Sequence, residues 1–256
     1  MSLRHPGKHD WIIAAIFIVV AVAVVYSGVR LWNFRKNYKP SVDVSAYPVR
    51  GIDISSHNGV VDFAKLKKAG IEFVFIKASE GTDFLDRKFA ANIDSASAHE
   101  IPAGAYHFFR YDKDGVAQAK NLYSALEGRI PKLGVVIDVE DAGNPYEGEP
   151  SQVVDNLTEM IEYLNLKGLP VMFYSNKDGY NQFLRKDFTG IPLWICSFND
   201  NPIDAEWRFW QYNHNGKIDG IKGNVDLNVF NGSLSDWKEY LLLLSESENS
   251  NNSNNK

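Results

Sequence analysis

The sequence predicts an α/β barrel of irregular build, on three observations. Eight short, β-rich apolar runs recur between about residues 49 and 244. Amphipathic stretches of helical length separate the earlier runs, the alternation that marks βαβ units on a parallel sheet. Long helical patterns are missing between the last three runs, so the barrel should lose its regularity there.

The expected strands are Val49–Ile54, Phe73–Ala78, Ala103–Phe108, Val135–Val139, Val171–Tyr174, Leu193–Ser197, Phe209–Tyr212 and Val225–Val229. The expected helices are Asp62–Ala69, Arg87–His99, Gly115–Leu126, Gln152–Lys167 and Lys177–Leu184. An α/β barrel can occupy 200–250 residues as one domain, so one domain over residues 49–244 suffices.

Ahead of the barrel, residues 1–10 are polar, and Trp11 to Val29 is apolar apart from Tyr26, Ser27 and Gly28. That length approaches the ~20 residues a helix needs to cross a bilayer. Trp11 and Trp32 stand near its ends, as interfacial aromatics do. The reading is a transmembrane anchor over 11–32 that contacts lipid. A cleaved signal peptide ending at Ser27-Gly28 is the rival, and would leave the domain secreted. Residues 33–48, with Pro40, Ser41 and Pro48, read as a stalk. Residues 245–256 are Ser, Asn and Glu with one Lys. They cannot bury apolar surface and are expected to be disordered.

Composition excludes several functions. Apolar content of 45% and aromatic content of 13% suit a large core. A net charge of −5 argues against nucleic acid as a partner. The one cysteine, Cys196, rules out an intrachain disulfide. It is either a thiol nucleophile or, following the apolar Leu193–Ile195, a packing residue. Neither a Walker loop nor a Gly-x-Gly-x-x-Gly after a strand occurs, so nucleotide chemistry is not expected, and no cofactor is called for.

The acids are more informative. In α/β barrels, catalytic groups gather at the C-terminal ends of strands. Asp53 lies near the end of the first expected strand, Glu80 just after the second, Asp138 and Glu140 at the close of the fourth, and Asp226 in the eighth. Asp138 and Glu140, two apart on a strand, share a face and should point into the barrel mouth with Val139 outward. Close carboxylates push their pKa values apart and leave one protonated near neutrality, as glycosidic cleavage requires. An isolated Asp-x-Glu would more often cap loops or bind Lys; recurrence at several strand ends is what weighs here. A divalent-metal site using Asp53, Asp138, Glu140 and Asp226 with His57 or His107 is an alternative, but His-x-x-x-His spacing is missing. Aromatics in the same loops (Tyr106, Phe108, Tyr174, Trp194, Trp207, Trp210 and Tyr212) are either core or walls on which sugars stack.

Taken in order, Gly51-Ile-Asp-Ile-Ser, Phe75-Ile-Lys-Ala-Ser-Glu-Gly, Gly104-Ala-Tyr-His-Phe, Asp138-Val-Glu, Phe173-Tyr-Ser, Leu193-Trp-Ile, Trp210-Gln-Tyr and Val225-Asp-Leu-Asn resemble family 25 glycoside hydrolases, the lysozymes (muramidases) of bacteria, phages and some fungi. The resemblance covers residues 49 to 232 and leaves out the apolar segment and the tail. It implies an irregular TIM-like (β/α)5(β)3 barrel that hydrolyses the β-1,4 bond between N-acetylmuramic acid and N-acetylglucosamine in peptidoglycan. By motif position, Glu140 would be the general acid. Asp138 would orient a substrate acetamido group in a retaining, substrate-assisted reaction. Asp53 and Asp226 would complete an acidic floor. Lys77, Tyr106 and Tyr174 would support the site, with Glu80 nearby and Trp194, Trp210 and Gln211 as walls.

The same resemblance implies peptidoglycan glycan strands as partner and a domain outside the cytoplasm. Arg30, Arg35, Lys36 and Lys39 follow the apolar segment and outnumber Arg4 and Lys8 before it, which by itself would orient the chain the other way. The alternatives to an active enzyme are a non-catalytic peptidoglycan-binding barrel and a scaffold for a wall complex. Oligomeric state has no signature in the sequence.

Overall fold

The computed structural model describes residues 8–37, 42–202 and 205–254, with side chains placed for 17–30, 32, 42–202 and 205–246. The chain forms two units, Met1–Pro40 and Ser41–Lys256.

In the first unit, α1 runs Lys8–Asn37. Phe17, Val22 and Val29 are exposed on it. No helix of the described residues is long and apolar enough to cross a membrane. The transmembrane anchor expected at 11–32 is therefore not borne out by the described residues; part of that segment lies outside those with placed side chains.

In the second unit, nine strands form one sheet among the described residues. They are β1 (Arg50–Ile54), β2 (Phe73–Glu80), β3 (Phe84–Leu85), β4 (Ala103–Phe108), β5 (Val135–Val139), β6 (Val171–Asn176), β7 (Leu193–Cys196), β8 (Phe209–Gly216) and β9 (Val225–Phe230). Eight close on themselves in the order β1-β2-β4-β5-β6-β7-β8-β9, with β9 pairing back to β1. The short β3 is an antiparallel hairpin partner of β2 outside the ring. Strands β1, β2 and β4 to β8 run parallel; β9 is antiparallel to both neighbours. All eight expected strands are present and β3 is additional; the parallel pairing expected of βαβ units holds from β1 through β8 around the ring, and the antiparallel β9 falls in the stretch expected to be irregular.

Period-two alternation sorts the strand residues into two cores. Val135, Ile137 and Val139 of β5 face the helix layer, while Val136 packs inside the barrel. The helices α2 (Phe63–Lys68), α3 (Phe89–Ala98), α4 (Gly115–Leu126) and α5 (Pro150–Leu166) cover the outer layer. Asp62 and Asp114 accept from the backbone at the starts of α2 and α4, and Pro150 opens α5 where its missing N–H costs nothing. The expected helix 177–184 is instead a short α6 (Lys177–Gly179) running into a π turn, Tyr180–Leu184.

The inside of the barrel is filled from below by aromatic rings. Phe75 stacks on Trp194 at 4.3 Å, and Phe73 meets Phe209 at 4.9 Å. Gly51 and Gly104 make room: a Cβ on either would lie within 2.5 Å of the Phe73 or Phe75 ring. A final helix, α7 (Leu234–Asn254), was not expected from the sequence. Its Trp237 and Tyr240 pack on Phe209 and Phe230, and Trp237 also meets Phe73. These contacts lie at the N-terminal ends of the parallel strands, so α7 closes the bottom of the barrel. It continues to Asn254, through most of the tail whose composition predicts disorder; helical hydrogen bonds are local and need no buried face.

One boundary shifts for a physical reason. Among the described residues no helix lies between β7 and β8, and the outer side of β8 is covered by Tyr47, Trp207 and Tyr212 packed around Trp210. Because Tyr47, with Val42 and Val44, packs on the core, residues 42–48 belong to the barrel unit rather than to a stalk.

Helices α4 and α5 approach closely at Gly115, where an added Cβ would sit 1.9 Å from the backbone oxygen of Asn156. Neither partner can rotate away from a backbone clash. Gly115→Ala is expected to lower stability by roughly 1–3 kcal/mol, as overpacking does, read as a shift in the denaturant midpoint. An unchanged midpoint would show that α4 and α5 are not locked at this point.

Candidate active site

With the lower barrel filled by aromatic rings, the inward positions at the upper end carry polar groups. Asp53, Asp138, Glu140 and Asp226 converge there with Tyr106, Tyr174, Trp194 and Gln211 around a cleft of about 200 Å³. The antiparallel β9 explains how Asp226 arrives. Its first residues lie at the end where the parallel strands finish, and Asp226 is the register partner of Asp53. A larger hollow of about 350 Å³ lies at the lower end of β6 and β7, lined by Phe173, Phe188, Pro192 and Trp207 among others. Size does not choose between the two; convergence of acids does.

Asp53 and Asp138 are each only 6% exposed, and burial dominates the proton affinity of all four acids. Desolvation raises Asp53 to about 6, against donors from Asn228, Gln211 and Asp226 that pull it down. It raises Glu140 to about 7, with Asp53 adding to the rise and Lys77 opposing it. It raises Asp226 to about 8, helped by the charge of Asp53 and a hydrogen bond with it. Asp138 is pushed well above the usual carboxylate range by burial and then by Glu140. Its Oδ1 is buried and meets no donor among the described residues.

Four hydrogen bonds organise the floor. Tyr174 donates its hydroxyl to Gln211 Oε1 at 2.9 Å, and Gln211 Nε2 donates to Asp53 Oδ2 at 2.8 Å. Trp194 Nε1 donates to Asn228 Oδ1, and Asn228 Nδ2 donates to the same Asp53 Oδ2, both at 2.8 Å. Burial pushes the tyrosine hydroxyls up, so they stay neutral donors. Cys196 faces the barrel interior and its thiol is pushed up to about 12 by burial. A neutral thiol is a poor nucleophile, which leaves Cys196 as a packing residue.

Three expected site residues stand apart from the cleft lining. Lys77 lies beside it, between the Phe84 and Phe108 rings, and its Nζ donates to Glu80 at 2.7 Å. Glu80 points toward Lys77 and Arg110 rather than into the cleft. Trp210 is fully buried on the outer face of β8, its Nε1 donating to Ser197. Its neighbour Gln211 lines the cleft, and adjacent strand residues cannot share a face.

The metal alternative required His57 or His107 among these acids. His107 instead lies on the outward face of β4, bonded to Ser79 and Gln118, with burial lowering its pKa to about 4. His57 bonds Ser55 on an exposed turn. Among the described residues, no group of three or more His, Cys, Asp or Glu is disposed to hold a metal ion.

Two residues at the site were not anticipated. Asn228 sits two positions after Asp226 and so shares its face; the strand period alone could have found it. Asn144 is buried and donates to the carbonyls of Phe109 and Glu140 while accepting from Tyr111 N. It ties the backbone of Glu140 to the loop after β4. It lies in an irregular loop, where no periodicity marks it.

Sequence comparison decides the class. The family profile described as "Glycosyl hydrolases family 25" matches residues 52–221, about two-thirds of the chain. The chain belongs to glycosyl hydrolase family 25. It is a glycoside hydrolase, and the fold agrees. A solved family 25 glycosyl hydrolase from Bacillus anthracis superposes with a TM-score of 0.72 at 30% identity, over 79% of this chain and 98% of that one. A bacterial lysozyme from Streptomyces coelicolor gives 0.68 at 30% identity, over 80% and 100%. The autolytic lysozyme of Clostridium acetobutylicum is 32% identical over 189 residues, which is 73% of this chain and 57% of that protein.

In this family 25 barrel the raised carboxyls carry a stability consequence. A carboxyl bound more tightly to its proton when folded stabilises the fold at low pH, and that contribution is lost as pH rises through the folded-state pKa. The contribution is complete below about pH 4, where the unfolded carboxyls titrate (3.8 for Asp and 4.5 for Glu). It should fade from there up to the folded values, about 6 for Asp53 and about 8 for Asp226. Melting temperature should therefore fall as pH rises through that window, and Asp226→Asn should flatten the decline. A melting temperature that climbs across the window would contradict the buried acids.

Proposed function

We propose that this chain is a muramidase that hydrolyses the β-1,4 bond between N-acetylmuramic acid and N-acetylglucosamine in peptidoglycan. The observation that carries the reading is Glu140, half-buried at the cleft with its pKa lifted to about 7 among three further acids. A carboxyl that keeps its proton near neutrality can deliver it to a glycosidic oxygen. The lysozyme names of the C. acetobutylicum and S. coelicolor relatives support the substrate class.

In this reading Glu140 protonates the leaving oxygen. The acetamido oxygen of the substrate attacks the anomeric carbon as the C–O bond to the leaving sugar breaks. Asp138 accepts the acetamido N–H, for which the unpartnered Oδ1 is suited, and steadies the charge on the cyclised group. Water then opens that intermediate with Glu140, now ionised, taking its proton, so configuration is retained. Asp53 and Asp226 supply the acidic floor, and Tyr106, Tyr174 and Trp194 wall the sugar. Lys77 offsets part of the negative charge. The apolar segment at residues 11–32 would hold the enzyme at a bilayer, with the barrel outside the cytoplasm; its composition and the exposed Phe17, Val22 and Val29 support this.

Glu140→Gln should lower wall hydrolysis by roughly 10²–10⁴-fold with the melting temperature retained, since the proton donor is lost. Asp138→Asn should also lose activity. Mass analysis of digested peptidoglycan should find new reducing ends on N-acetylmuramic acid. Near-normal turnover by the Glu140 variant would remove the assignment. Separately, the full chain should sediment with membranes and a fragment starting at residue 42 should not; equal behaviour of the two would discard the anchor.

A further inference from the structure

Asp53 and Asp226 stand opposite each other on β1 and β9 and line the same cleft, and two carboxyls so placed share one proton more readily than they carry two charges. The directions of the surrounding bonds say which carboxyl holds it. Trp194 Nε1 can only donate, so the Asn228 atom that faces it is the amide oxygen. The opposite end of that amide is then necessarily Nδ2, and it donates to Asp53 Oδ2 at 2.8 Å. Gln211 Nε2 brings a second N–H to the same oxygen at 2.8 Å, with its own Oε1 taken by the Tyr174 hydroxyl. Asn228 and Gln211 are both buried, at 1% and 6% exposure, and Asn228 cannot turn over without setting its Nδ2 against the Trp194 N–H.

An oxygen receiving two N–H bonds gains most when it is charged. We propose that Asn228 and Gln211 are positioning residues that hold Asp53 as the anion and leave the shared proton on Asp226. Burial lifts the pair in the order this requires, Asp53 to about 6 and Asp226 to about 8. The other titratable groups facing Asp53 are Glu140 and Asp138 of the β5 end, Tyr106, Tyr174 and Cys196. Lys77 faces the same acids from β2. The tyrosines and the thiol stay neutral, so Asp53 is the fixed negative charge that strengthens the hold of Glu140 on its proton. Only this last consequence rests on the reading of Glu140 as the acid.

The test is a titration of the full chain carrying carbon-13 in its aspartate carboxyls, followed by NMR and assigned with Asp53→Asn and Asp226→Asn. Asp53 should ionise at lower pH than Asp226. In Asn228→Leu, the Asp53 midpoint should rise by roughly one pH unit. The alkaline limb of the activity profile should move to lower pH, because Glu140 no longer faces an anion. If Asn228→Leu does not fold, Gln211→Met removes the other donor and is read in the same way. Asp226 ionising first, or an unmoved Asp53 midpoint in the folded variant, would overturn the proposal. Were Glu140 not the acid, only the activity limb would fail, and the order of the two aspartates would stand.

Discussion

Removing carboxyl groups from water at one end of an apolar barrel is the constraint on which the rest of this molecule depends. Burial is the largest cause of the raised proton affinity of Asp53, Asp138, Glu140 and Asp226 alike. Once desolvated, the four groups cannot all be charged. They must share protons, borrow amide donors or lean on a cation, and the structure uses all three. Asp226 stands opposite Asp53, Asn228 and Gln211 donate to Asp53, and Lys77 opposes the negative field at Asp138 and Glu140. Acid–base capacity near neutral pH is a by-product of that arrangement.

The arrangement stands on packing that has no chemistry of its own. Phe73, Phe75, Trp194, Phe209 and Phe230 fill the lower barrel, and Trp237 closes it from below. Ring against ring excludes water and leaves few rotamers to choose from. Trp194 belongs to both halves: its face stacks on Phe75 while its Nε1 orients Asn228. The orientation of a floor amide is thus set by a ring whose position the core dictates. Asn144 does the corresponding work at Glu140 from a loop.

Much of the fold was legible because burial imposes a period. Strands β4 and β5 match their expected limits, and the inward Asp138 with outward Val139 follows from alternation alone. The same rule, applied strictly, would have separated Gln211 from Trp210 and added Asn228 to the floor. The helix α7 was hidden because its apolar residues, Trp237, Tyr240, Leu241 and Leu244, lead directly into a polar tail. Two-residue β3 and the Tyr47–Trp207–Trp210 cluster left no periodic trace. The aromatic cluster forms because distant segments meet on the outer side of β8, where no helix is found among the described residues between β7 and β8.

By itself, the sequence determined the class of the molecule: alternating apolar runs specify the barrel, and acids placed at the ends of those runs specify carboxyl chemistry. Side-chain period and the avoidance of water are local rules, readable one segment at a time. Only the tertiary structure decided which acids share a proton, which amides face them and which way β9 runs. Those outcomes depend on distance and on loss of solvent between residues far apart in the chain, as with Asp53 and Asp226. Proton affinity is a property of that shared environment and not of any residue in it.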